Sequence, residues 1–177
     1  MLNNLKPWFS RLFAIYILKA LIMGKIVLTE SQIANIVAKA TRRLLREVNE
    51  KDEINNLLMK SKEWRSSNPT RPGNENPYYG EIWHAIVKYY IKYYNAVLTY
   101  KLPNGRVMER QLDKNDIQFA LYHAVFDRDT VEDCIYLIER WIMRAYEDNL
   151  YNELGAELPD EYDLQVNVES RPKTKGL

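Results

Sequence analysis

A chain of 177 residues, 46% hydrophobic and 28% charged, has the make-up of one globular domain with room for appendages. A formal net charge of +1 excludes a strongly basic nucleic-acid binder by total charge, and the single cysteine, Cys134, excludes an internal disulfide. A lone thiol points to a reducing compartment.

The charge is unevenly placed. Residues 1–77 hold 13 Lys and Arg against 7 Asp and Glu, a net +6, while residues 78–177 hold 12 against 17, a net −5. Opposite halves attract, within the chain or between copies. Thirteen tyrosines and four tryptophans, with apolar rings and polar tips, suit half-buried positions and protein interfaces.

Residues 1–22 form an apolar leader that Arg11 and Lys19 interrupt, short of the roughly 20 apolar residues a membrane-spanning helix needs. It lacks a small-residue cleavage site. Two readings stand: an interfacial segment carrying Trp8, Phe9, Leu12 and Phe13, or a stretch upstream of a true start at Met23. Membrane association is expected only if the leader belongs to the mature chain.

Residues 23–64 read as an amphipathic helical arm. Thr29 is a good N-cap, Gln32 completes a capping box, and Leu28 and Ile33 form a staple. At about 100° per residue, Ile33, Ile36, Val37, Ala40 and Leu44 form one apolar stripe, with Lys39, Arg42, Arg43 and Arg46 opposite. The stripe is either core or an anchor for a partner's groove, and these five residues are the candidate docking set. Periodicity continues through Ile54, Leu57, Leu58 and Trp64 after a break near 49–52. Residues 65–77, with three prolines, a glycine and three asparagines, read as a linker.

Residues 78–155 should form a helix-hairpin-helix-helix core. In its first helix Trp83, Ile86, Val87, Tyr90 and Tyr94 share one face, and Ile82, Tyr89 and Tyr93 make a second stripe, read either as core with Tyr hydroxyls reaching solvent or as a subunit interface. Asn104-Gly105 predicts a hairpin with a type I′ turn, placing Leu102 opposite Val107 and Tyr100 opposite Glu109. Lys101, Arg106 and Arg110 then form a solvated rim. Leu112 and Asp113 repeat the staple-and-cap pattern and predict a helix through Phe126, oily nearly all round and therefore central. Asp129 or Thr130 caps a last long helix with Cys134, Leu137, Ile138, Trp141 and Ala145 on its apolar face, ending near Leu154 before Gly155. The tail, 156–177, alternates Leu164, Val166 and Val168, the pattern of a short strand if it finds a partner and of a disordered end if it does not. The class expected is mainly α with one β-hairpin, α+β, a small helical domain with an N-terminal arm.

Glu81 and His84 make one Glu-x-x-His pair, but a di-iron bundle needs a second pair and two more glutamates, and His123 follows Ala120. Cys134 sits on an apolar face and reads as packing. The sequence shows neither a Gly-rich phosphate loop nor a catalytic constellation. The expectation is no enzyme, no metal and no cofactor.

The stretch from Lys25 to Glu47, with Lys25, Ile26, Val27, Thr29, Glu30, Ser31, Ile33, Ile36, Val37, Leu44, Leu45 and Glu47, resembles a short leader on many proteins of large tailed bacteriophages, most of all crAss-like phages of gut Bacteroidetes. The resemblance covers about 25 residues and implies a phage context, with other phage or virion proteins as partners and the virion or host cytoplasm as location. The function expected is a non-enzymatic, virion-associated or assembly protein that works by protein contacts and forms homo-oligomers. The alternative is a nucleic-acid-binding accessory protein using Lys39, Arg42, Arg43, Arg46, Lys88 and Lys92 with Tyr-rich surface.

Overall fold

The computed structural model describes residues 29–70, 75–154, 158 and 163–173 of a chain that divides into two compact units, Met1–Leu45 and Arg46–Leu177. The leader 1–22, Met23, and Leu28 of the expected staple lie outside the described residues.

Helix α1 (Glu30–Ser67) starts where its capping chemistry requires. The Gln32 N–H donates to Thr29 Oγ1 at 3.3 Å, and the Thr29 N–H donates to Gln32 Oε1 at 2.8 Å. The break expected near 49–52 does not occur. The polar stretch there is held by ion pairs of Glu50 with Lys92 and of Lys51 with Glu132, so it continues the helix. The boundary between the two compact units falls inside α1, at Leu45. The stretch 65–77 ends in a buried polar contact, in which Asn76 Nδ2 donates to Ser61 Oγ at 2.7 Å.

The second unit adds α2 (Tyr79–Tyr93), β1 (Tyr94–Lys101), β2 (Val107–Gln111), α3 (Lys114–Ala120), α4 (Val131–Leu154) and β3 (Val166–Pro172). It is an α+β fold. The sheet has three antiparallel strands in the order β2-β1-β3, one more than the expected hairpin, because the tail pairs with β1. Val168 stands opposite Leu98 and Val166 opposite Tyr100, which gives the alternating residues a face to bury.

The hairpin forms, but one residue out of the expected register. Tyr100 faces Met108 and Thr99 faces Glu109. A type I′ turn at Asn104-Gly105 would require Pro103 to donate a backbone hydrogen bond to Arg106, and proline has no N–H. The closing pair moves back to Leu102, whose N–H donates to Arg106 O at 2.9 Å while its carbonyl accepts from Gly105 N–H at 2.9 Å. The result is a three-residue loop, with Gly105 alone at positive φ (82°).

Ala96, Leu98 and Val168 of the sheet join the buried core with Leu112 and residues of the helices. The core reaches past 78–155 on both sides, taking Ile54 and Leu58 from α1 and Leu164 and Val168 from the tail. A core restricted to the smaller span would bury only about 60% of its chain's surface and be marginal. Helix α4 buries Cys134, Ile138, Ile142, Tyr146 and Leu150, with Leu137, Trp141 and Ala145 half-buried beside them. It also covers the edge of β3: Leu164 N–H donates to Tyr151 Oη at 2.9 Å and Ser170 N–H to Glu139 Oε1 at 2.8 Å.

The second half of α1 is fastened to the start of α4. Lys62 pairs with Asp129 at 2.8 Å, Arg65 pairs with Asp127, and Asn55 Oδ1 accepts from Val131 N–H at 3.0 Å. Thr130 is the α4 cap, its hydroxyl accepting from Asp133 N–H at 3.2 Å.

Two expectations about apolar surface are corrected. Ile82, Tyr89 and Tyr93 are 2%, 4% and 5% exposed and belong to the core, so they are no subunit interface. Glu47 and Glu50 of α1 lie beside this flank of α2, within electrostatic reach of Tyr89 and Tyr93, which is why both aromatic stripes are covered. The oily segment after Asp113 is shorter and less central than expected: α3 stops at Ala120, and Phe119 and Tyr122 are each 71% exposed. Side chains of α2 capture the carbonyls beyond it, Trp83 Nε1 donating to Leu121 O at 2.8 Å and Tyr79 Oη to Ala124 O at 3.0 Å. Those bonds hold the chain in tight turns, where a helix would need the same carbonyls.

Candidate docking surface

The first half of α1 carries the candidate docking residues. Ile33, Ile36, Ala40 and Leu44 are half-buried, and Val37 is 45% exposed. None of the five is among the buried core residues, whereas Ile54 and Leu58 further along the same helix are. Lys39, Arg42 and Arg46 are exposed and Arg43 is half-buried. This is a helix with an apolar seam and a basic back, well capped and built from residues that need no other chemistry to hold it.

The six cationic residues assigned to nucleic acid do not act alike. Lys88 is exposed. Lys92 is bound to Glu50 and lies 4.9 Å from the Tyr93 ring centroid. Burial alone would raise the Glu50 carboxyl, but Lys92 and Arg46 hold it below its ordinary range. Lys92 is correspondingly raised, chiefly by Glu50. Its charge is committed inside the fold, as is that of Arg110, which donates to Asp116 at 2.9 Å.

Burial pushes the Cys134 thiol up to about 12, far from the thiolate that a nucleophile needs. His84 packs edge-on against Trp83 with centroids 5.1 Å apart, and His123 likewise against Tyr122 at 4.7 Å. Among the described residues no three His, Cys, Asp or Glu side chains gather as metal ligands. No helix among them is long and apolar enough to cross a membrane. A shallow depression of about 240 Å³ lies between Lys60, Glu63, Trp64, Ser67, Asn68 and Tyr78. It lacks the enclosed apolar walls that grip a small molecule.

One surface was not foreseen: the turn carrying Phe119, Tyr122 and Val125, all exposed. Its signal was present in the sequence. A segment with apolar residues on every side cannot bury all of them in a two-layer fold, so one stripe must reach the surface.

No protein-family model, curated protein or solved structure matches this chain.

Proposed function

We propose that the chain is a non-enzymatic phage protein, virion-associated or an assembly factor, that docks through the first half of α1. The observation that carries this reading is the contrast along one helix. Ile54 and Leu58 are buried, while Ile33, Ile36, Ala40 and Leu44 of the apolar stripe are half-buried and Val37 is 45% exposed. The phage context rests on the resemblance of the stretch from Lys25 to Glu47.

The test is incorporation into particles. The full chain should co-purify with gradient-purified virions or assembly intermediates, and the Ile36→Asp, Leu44→Asp double variant should be lost from them while keeping the wild-type unfolding transition. Absence of the wild-type chain from both particle fractions sinks the proposal. The exposure of Lys39, Arg42 and Lys88 supports the nucleic-acid reading. It requires retention on DNA at low salt that falls steeply as salt is added.

A further inference from the structure

The charge of this protein is divided by unit more sharply than by sequence halves. Met1–Leu45 holds seven Lys and Arg against one acid, a net +6, and Arg46–Leu177 holds 18 against 23, a net −5. The whole basic excess lies in the first unit. Within the second unit Lys51, Lys62, Arg65 and Lys92 each pair with an acid of the same unit, which leaves its net charge unchanged. The acids exceed the bases by five. From Ala145 to Ser170 the chain carries eight acids and no base. Glu153 stands in the last turn of α4, where the helix dipole disfavours a negative charge, and that turn has no basic residue.

We propose that copies of this chain associate head to tail, the basic first unit of one copy docking its seam onto the acidic second unit of the next. This rests on the docking reading above and names its partner. Electrostatics favours unlike units. A contact between two first units, or between two second units, brings like charges together, whereas first unit against second sets +6 against −5. The seam also needs an apolar counterpart, and the second unit supplies Phe119 and Tyr122, each 71% exposed. They follow Asp116, which Tyr146 Oη ties to α4 at 2.8 Å, on the element beside the acidic half of that helix. Such a contact closes into a ring or runs on as a filament, both of which serve a particle protein.

The test is the mass of the full-length chain in solution by light scattering. It is measured over a range of concentrations at about 0.1 M and about 1 M salt, where the screening length falls from about 10 Å to about 3 Å. The expected result is a mass above the 21.0 kDa monomer that rises with concentration at low salt and falls toward the monomer at high salt. The Ile36→Asp variant spoils the seam, and the Phe119→Ser, Tyr122→Ser variant spoils the acceptor. Each should be monomeric alone with an unchanged circular dichroism spectrum. Mixed, they should form a dimer and nothing larger, because one intact seam meets one intact acceptor. A wild-type chain that stays monomeric throughout overturns the proposal. So does a mixture that stays monomeric, or an acceptor variant that associates like the wild type. A monomeric chain still incorporated into particles through its seam would leave the proposed function standing and remove this inference alone.

Discussion

Tyr90 and Tyr93, three residues apart on α2, are both buried and differ in the fate of their hydroxyls. Tyr90 Oη lies 2.7 Å from Ser170 Oγ, linking the helix to β3. Among the described residues, Tyr93 Oη is the buried side-chain polar atom without a hydrogen-bond partner, although it sits beside the Lys92–Glu50 pair. An unmade bond costs more than a made one gains. Tyr90→Phe should therefore lower stability by about 1–2 kcal/mol, since it strands Ser170, while Tyr93→Phe should be neutral or stabilising by up to about 1 kcal/mol. Urea unfolding of both variants checks this, and a large loss in Tyr93→Phe would mean that its hydroxyl has found a partner. Asp116 carries the clearest pH dependence. Burial alone would raise its carboxyl, but the Asp113 N–H, the Tyr146 hydroxyl and Arg110 together hold it below its ordinary value. A depressed folded pKa means that the contribution to stability is complete above the unfolded value of about 3.9 and is lost as pH falls through the folded one. Asp116→Asn should thus be less stable than wild type at neutral pH, and the gap should close below about pH 4. A gap that is constant from neutral to acid pH would remove the charge from the explanation.

At the scale of elements, α1 behaves as two halves of one helix. Truncating Leu58, 3% exposed in the core, should cost about 2–5 kcal/mol. Truncating Leu44, which no buried cluster claims, should cost less than about 1 kcal/mol. Equal losses in Leu58→Ala and Leu44→Ala, read by denaturant midpoint, would show that the seam is ordinary core. The same scale explains what could be read in advance. Helix starts were legible at Thr29 and at Asp113, whose side chain accepts from Asn115 and Asp116 N–H, because caps are local chemistry. The hairpin was legible as a hairpin, but its register was not. Pro103 carried that information and was outweighed by the Asn-Gly pair. The end of α3 was illegible because the carbonyls just beyond it, of Leu121 and Ala124, are taken by Trp83 and Tyr79, from a helix some forty residues earlier.

At the scale of the molecule, the α+β class and the alternation of Leu164, Val166 and Val168 followed from periodicity alone. What that strand would pair with did not. Nor did the burial of Ile82, Tyr89 and Tyr93, since an oily stripe looks the same whether another copy or its own chain covers it. The attraction between basic and acidic parts was visible in the charge count. Its partial fulfilment inside the chain, through Lys51–Glu132, Lys62–Asp129 and Arg65–Asp127, required coordinates. By itself the sequence determined where helices begin, which residues are oily and how charge is distributed, because these are properties of neighbours along the chain. Only the tertiary structure decided which oily faces are core, where the body starts within α1 and which charges are already paired. Those outcomes depend on contacts between residues dozens of positions apart, and local pattern does not encode them.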